Sequence, residues 1–117
     1  MAERTAVVAD FADSRHVLWS GLLNGDTGNA IGFQGSGDKS IQFTGTFGVG
    51  GSISLQGTCD KVPGSNWFIL SDLQTLAITK TGVALEGIAE SVMWVRPIVT
   101  AGDGTTNLVA TMVVRDK

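Results

Sequence analysis

The stretch Lys39–Gly57, KSIQFTGTFGVGGSISLQG, decides the fold. Apolar and polar residues alternate over residues 40–47 and again over 52–56, with the glycine-rich Gly48–Gly51 between the two runs. A period of two is typical of a strand with one buried face. Glycine accepts a positive φ at little cost, so the pattern predicts an antiparallel hairpin that turns at these glycines.

Five further segments have strand-like patterns and are separated by turn signals rich in Gly, Asn, Asp and Pro. They are His16–Leu23, Trp67–Leu70, Leu76–Thr79, Ser91–Thr100 and Thr106–Arg115. No segment has a clear helical period. The spacing predicts an all-β, single-domain antiparallel β-sandwich, jelly-roll-like, or a small β-barrel, with about seven or eight short strands.

Three segments carry more specific expectations. Trp67–Leu70 is a continuous apolar run, which favours a strand covered on both faces or one whose outer face meets a partner. Ser91–Thr100 contains Pro97, which has no N–H for a ladder, so this strand is expected at an edge or to be irregular there. Residues 101–105, AGDGT, are expected to form a hairpin loop.

The composition is that of a folded chain, because 43% of the 117 residues are hydrophobic and 16 are glycine. A chain of this length has room for one domain. Residues 1–13 mix small, apolar and charged side chains and are predicted to form an N-terminal arm that is ordered against a neighbour. Residues 14–117 then form the β-sandwich domain.

Charge and cysteine content exclude several classes of function. The net charge is −3 and the basic residues are scattered, so direct nucleic-acid binding is not expected. No run is long and apolar enough for a membrane span, and the N-terminus lacks the apolar core of a secretion signal. Cys59 is the single cysteine, which excludes an internal disulfide and suits assembly in a reducing cytoplasm.

The residue inventory does not assemble into a catalytic site. His16 is the single histidine, and no Gly-x-Ser-x-Gly motif accompanies it. Cys59 is followed by Asp60, whose charge disfavours a reactive thiolate. Without a nucleophile, base and oxyanion donor in a recognisable pattern, we predict that the chain is not an enzyme and has no catalytic residues.

Three loop aspartates each stand beside a glycine, namely Asp26, Asp38 and Asp103. Carboxylate oxygens in loops can bind calcium, but the twelve-residue loop with alternating ligands and a terminal Glu is absent. We therefore predict Asx-type turns at these positions, and neither a metal nor a cofactor.

Five residues are predicted to form interfaces. Val7, Val8 and Phe11 are the apolar anchors of the predicted arm. Trp94 and Arg96, on the segment that contains Pro97, are the residue types that carry most binding energy in interfaces. The alternatives are that Trp94 fills the core, that Arg96 is solvated, and that exposed tryptophans stack against sugar rings.

Four motifs resemble the small structural proteins encoded in the virion gene blocks of tailed bacteriophages. They are GTF at 45–47 followed by LQG at 55–57, WFILSD at 67–72, RP at 96–97 and GDGTT at 102–106. The resemblance spans roughly residues 17–115 and departs from the family pattern at Cys59–Pro63, where the loop is longer.

Within this group the chain looks most like a capsid decoration, or cement, protein. The resemblance implies a protein on the capsid surface of the virion, assembled in the cytoplasm of the bacterial host. Its implied partners are the major capsid protein and further copies of itself, as a homodimer or homotrimer. The alternatives are a tail or head-tail structural protein and a carbohydrate-binding β-sandwich module.

Overall fold

The computed structural model describes residues 2–11, 14–32 and 38–115. Twelve strands lie in these ranges, and the predicted all-β class is confirmed. Seven strands have four or more residues; the two-residue strands are too short to produce a periodic pattern. The strands are β1 (Glu3–Arg4), β2 (Val7–Asp10), β3 (Ser14–Leu22), β4 (Thr27–Gly28), β5 (Ile31–Gly32), β6 (Lys39–Thr46), β7 (Ser52–Thr58), β8 (Phe68–Ile69), β9 (Thr79–Lys80), β10 (Ala84–Gly87), β11 (Trp94–Ala101) and β12 (Asn107–Arg115).

The strands form two sheets that pack face to face. The seven-stranded sheet has the order β1-β4-β11-β7-β8, with β5 also beside β11 and β9 also beside β7. The five-stranded sheet has the order β10-β6-β12-β3-β2. Among the described strand pairs, β1 and β4 run parallel and the others run antiparallel.

The alternating stretch does not form the predicted hairpin. β6 pairs with β10 and β12, whereas β7 pairs with β11, β8 and β9 in the other sheet. Residues 47–51 therefore cross between the sheets, with Gly48 and Gly50 at positive φ. Residues 102–106, between β11 and β12, also cross between the sheets, so the hairpin predicted at residues 101–105 is wrong too. Alternation specifies which face of a strand is buried, and it does so equally in a hairpin and in a crossing.

The core lies between the inner faces of the two sheets. Trp19 is its largest side chain, fully buried, and its indole N–H donates to the carbonyl oxygen of Asn29 at 3.0 Å. A Cβ at Gly28 would stand 2.5 Å from Cδ1 of Trp19, so β4 passes the indole at a distance that glycine alone allows. The other large, fully buried side chains are Phe43, Leu22, Ile41, Ile53, Leu55, Ile78, Leu108, Met112, Val17, Val95 and Val99.

The strand that contains Pro97 lies inside the sheet, not at the predicted edge. Leu55, opposite Pro97 on β7, donates its N–H to the carbonyl oxygen of Ile78 at 3.1 Å, away from β11. The nitrogen of Pro97 therefore faces the other side, where β5 pairs with residues 94–95 and β4 pairs with Ile98. Pro97 falls in the gap between these two short strands, where an N–H is not needed.

The described part of the predicted arm, residues 2–11, pairs with both sheets. β1 lies beside β4, and β2 lies beside β3. The buried carboxylate of Asp26 accepts hydrogen bonds from the N–H of Ala2 at 2.9 Å and from Nε of Arg4 at 2.8 Å. Residues 12 and 13, where the predicted arm ends, lie outside the described residues, so the division at this point stays a prediction.

Candidate interface surfaces

The outer face of the seven-stranded sheet carries a cluster of aromatic and polar side chains. On β11, Val95 points into the core, so its neighbours Trp94 and Arg96 point outward, and both are half-buried. Gln56 on β7 is paired with Arg96, and the half-buried Trp67 lies just before β8. We call Trp67, Trp94, Arg96 and Gln56 the Trp–Arg surface.

Arg96 is held between an aromatic ring and an amide. Its Cζ lies 4.2 Å from the ring centroid of Trp67, and its Nε donates to Oε1 of Gln56 at 3.0 Å. A cation over a tryptophan ring is stabilised by about 0.5–1 kcal/mol, and by more where water is excluded. Burial lowers the pKa of Arg96, and the negative charge of Glu3 opposes this shift. A guanidinium stays protonated at neutral pH, so the surface presents a positive charge in a fixed position.

The loop between β7 and β8 fixes both outward-facing indoles. The indole N–H of Trp67 donates to the carbonyl oxygen of Gly64 at 2.9 Å, and that of Trp94 donates to the carbonyl oxygen of Lys61 at 3.4 Å. Trp94 also packs on Gly32, where a Cβ would stand 2.9 Å from its ring atom Cζ3. The surface is therefore organised before any partner arrives, which reduces the entropy lost on binding.

The five predicted interface residues occupy two separate places. Trp94 and Arg96 lie together on the Trp–Arg surface. Val7, Val8 and Phe11 lie on or next to β2, at the edge of the five-stranded sheet, and their exposed fractions are 65%, 43% and 63%. The alternative that placed Trp94 in the core is wrong; the tryptophan in the core is Trp19.

Two members of the Trp–Arg surface, Gln56 and Trp67, are not among the five predicted interface residues. Gln56 appeared in the sequence as one polar residue of an alternating strand, and Trp67 as the start of an apolar run. The expectation that this run is covered on both faces within the chain is wrong, because Phe68 and Ile69 are 66% and 49% exposed. The remaining expectation, that a partner covers them, stays a prediction.

Asp103 forms the predicted Asx-type turn. Its carboxylate accepts from the N–H of Thr105 at 2.9 Å and from the hydroxyl of Thr105 at 2.7 Å. It also accepts from the N–H of Val49 at 2.9 Å and so joins the β11–β12 crossing to the β6–β7 crossing. The bonds from the Thr105 hydroxyl, then from the N–H groups of Val49 and Thr105, lower the pKa of Asp103 to about 2.

Asp26 closes a turn and has a second role. Its N–H donates to the carbonyl oxygen of Leu23 at 3.0 Å, and its carboxylate accepts from the N–H of Leu23 at 3.0 Å. Burial by itself raises the pKa of Asp26, but bonds from the N–H of Leu23, from Arg4 and from the N–H of Ala2 outweigh it, and the net shift is downward. The carboxylate therefore stays charged and holds the N-terminal segment against β4.

The remaining reactive side chains lie apart. Half-buried His16 is on the outer face of the five-stranded sheet between Ala9 and Val113, whereas exposed Cys59 follows β7 in the other sheet. Within residues 2–11, 14–32 and 38–115, no three His, Cys, Asp or Glu side chains are grouped to hold a metal. In the same ranges, no helix is long and apolar enough to cross a membrane. That the chain is not an enzyme stays a prediction.

No protein-family model and no curated protein matches the chain. Among solved structures, the SPBc2 prophage-derived protein YomS is similar with a TM-score of 0.63 and 7% identity, over 91% of this chain and 97% of YomS. PliG from Aeromonas hydrophila, a periplasmic inhibitor of g-type lysozyme, has a TM-score of 0.48 and 14% identity, over 97% of this chain and 95% of PliG. The likeness to YomS shows a shared fold; that to PliG is too low to support an argument.

Proposed function

We propose that the chain is a non-enzymatic structural protein of a tailed-bacteriophage virion, which binds the outer surface of the capsid and stabilises the shell as a decoration protein. The observation that carries this proposal is the fold shared with a prophage-derived protein over nearly the full length of both chains. The virion-protein motifs at GTF, LQG, WFILSD and GDGTT support the same class of protein independently.

The Trp–Arg surface is the part of the molecule best suited to meet the capsid protein. Tryptophan and arginine are enriched among the residues that dominate binding energy. Here Arg96 and Trp67 already contact each other, so their side chains lose little freedom on binding. Because a capsid presents the same site many times, a modest contact repeated on the lattice gains avidity.

The runner-up is a tail or head-tail structural protein, which the shared fold supports equally. Carbohydrate binding is less favoured, because the guanidinium of Arg96 occupies one face of the Trp67 ring. A sugar ring would have to displace this cation or use the other indole. Both alternatives are outcomes of the same experiment.

The test is co-sedimentation with undecorated, expanded heads of the phage that encodes the protein. We expect bound copies to saturate at a number set by the lattice, and the decorated heads to survive more heat than bare heads. Binding to isolated tails instead would establish the runner-up, and binding to neither would overturn the proposal.

A matched pair of variants identifies the contact surface. Arg96→Ala is expected to weaken head binding by about tenfold or more, the effect of losing one dominant interface residue. Arg115→Ala removes an exposed arginine at the end of β12, on the opposite sheet, and is expected to bind as the natural protein does. Equal binding by Arg96→Ala would exclude the Trp–Arg surface as the contact.

A further inference from the structure

β2 is the last strand of the five-stranded sheet, and half of its backbone groups point away from the protein. The N–H of Phe11 donates to the carbonyl oxygen of Ser14 at 2.8 Å, which makes this a hydrogen-bonded pair of the antiparallel β2–β3 ladder. Hydrogen-bonded and non-hydrogen-bonded pairs alternate along such a ladder. Val7 and Ala9 therefore bond to β3 as well, and the N–H and C=O groups of Val8 and Asp10 point outward.

The side chains of this edge are exposed throughout Val7–Asp10. Val7, Ala9 and Phe11 lie on the outer face of the sheet, since Val7 and Ala9 are paired with the outward-facing Leu18 and His16. Of the usual guards of an edge strand, Pro, Lys and a bulge do not occur in Val7–Asp10, and the one charged side chain, that of Asp10, accepts a hydrogen bond from Nε of Arg15 at 2.7 Å.

We propose that β2 pairs antiparallel with β2 of a second copy of this chain, about a twofold axis that passes through Ala9. In this register Val8 of each copy lies opposite Asp10 of the other. The outward N–H and C=O groups of both residues then form four intermolecular hydrogen bonds. The two five-stranded sheets become one continuous sheet.

Side-chain chemistry selects this register from its neighbours. It sets Val7 opposite Phe11 of the second copy, so two exposed apolar side chains cover each other on each side of the axis. The small Ala9 lies at the axis. A shift of the axis toward the C-terminus places Asp10 opposite Asp10 of the second copy, where the two like charges repel. A shift of the axis toward the N-terminus requires the N–H of Ala6 to bond to the second copy. That N–H already donates to Oδ1 of Asn29 at 2.8 Å.

The geometry has a consequence for the Trp–Arg surface. A twofold axis between two edge-paired strands is perpendicular to the sheet, so the outer faces of both seven-stranded sheets point the same way. A pair would present two Trp–Arg surfaces to one flat target and gain avidity from the linkage. The pairing itself does not depend on the proposed function, and it is tested without any capsid.

The contact is small, because five paired residues span about 17 Å of strand. An interface of this size lies at the weak end of the range for specific complexes. A measurement that traps the pair is therefore preferred to one that needs it to survive dilution.

The first test is disulfide trapping in a Cys59→Ser background. Ala9 and Ala9 of the second copy form a non-hydrogen-bonded pair, with Cα atoms about 4.5 Å apart, which is within the range for a disulfide. Ala9→Cys is expected to cross-link into dimers under mild oxidation. The matched control is Leu85→Cys, which puts a thiol at another exposed position, on β10 at the other edge of the sheet. Cross-linking of Ala9→Cys no faster than of Leu85→Cys would overturn the proposal.

The second test removes hydrogen bonds from the proposed pair and leaves the fold intact. Val8→Pro deletes an outward N–H that the β2–β3 ladder does not use. Two of the four intermolecular bonds are lost, so the dimer dissociation constant by sedimentation equilibrium is expected to rise about thirtyfold. An unchanged melting temperature confirms that the variant folds. A folded Val8→Pro variant that dimerises as well as the natural chain would contradict the proposed pairing.

Discussion

The two edge strands of the five-stranded sheet, β10 and β2, differ in how far other parts of the chain cover them. At β10 the segment between β8 and β9 covers the C-terminal end of the edge: the N–H of Ala89, two residues after β10, donates to the carbonyl oxygen of Ser71 at 2.9 Å, and Leu73 packs on Gly87. Glu86 of β10 also forms an ion pair with Lys80 of the opposite sheet, with 2.8 Å between Nζ and Oε2. β2 pairs with β3 on one side and, among the described strands, has no neighbour on its other side, because it is the last strand of this sheet.

This contrast separates an edge that is closed from an edge that is available. Unpaired strand edges promote association with other chains, and proteins usually guard them. Among the described residues a covering segment lies at the β10 edge, while β2 is anchored upstream through Asp26 and has no strand beside Val8 and Asp10 on its outer side. An edge that is firmly positioned but uncovered is suited to strand pairing.

The largest expected effect concerns the anchor of the β2 side. Asp26→Ala removes the acceptor of three hydrogen bonds, from the N–H groups of Ala2 and Leu23 and from Nε of Arg4. We expect the free energy of unfolding in urea to fall by about 2–3 kcal/mol, because bonds to a buried charged group contribute more than neutral ones. A loss well below 1 kcal/mol would show that the N-terminal segment is not anchored there.

The second prediction is a loss of stability in acid. The pKa of Asp103 is lowered to about 2 in the folded chain from an ordinary 3.8, so between these values the unfolded chain binds more protons. The stabilisation is present above about pH 4 and is lost as pH falls through about 2. The downward shift of Asp26 acts in the same direction. As pH falls, the urea midpoint of Asp103→Asn should decrease less steeply than that of the natural chain. Identical pH dependence of the two midpoints would contradict the contribution of Asp103.

The smallest expected effect is the loss of stability when the ion pair at each edge, Lys80–Glu86 on β10 or Arg15–Asp10 on β2, is removed. The side chains of Lys80 and Glu86 are 23% and 28% exposed, and Glu86→Gln is expected to cost about 0.5–1 kcal/mol. Those of Arg15 and Asp10 are 42% and 63% exposed, and Asp10→Asn is expected to cost at most about 0.5 kcal/mol. Both losses of unfolding free energy are measured by urea unfolding at low salt. The reverse order of effects would contradict the contrast between a closed and an open edge.

Part of the interface could be predicted from sequence because it depends on local alternation. Trp94 and Arg96 are two residues apart, so they share a face of β11 whichever strands lie beside it. Trp67 is separated from Arg96 by many residues and by the crossing of β10 into the other sheet, so no local pattern relates them. The cation–π contact between them results from strand order alone.

The sequence by itself determined the all-β class, the approximate positions of β3, β6, β7, β11 and β12, and the buried faces of β6 and β7. Ile41 and Phe43 on β6, and Ile53 and Leu55 on β7, face the core as their alternation predicts. It did not determine which strands pair. β6 and β7 lie in different sheets, because a period of two records the burial of a face, whereas hydrogen-bonding partners are chosen by packing between residues distant in the chain. The exposure of β2 and the cover over β10 were decided at that tertiary level.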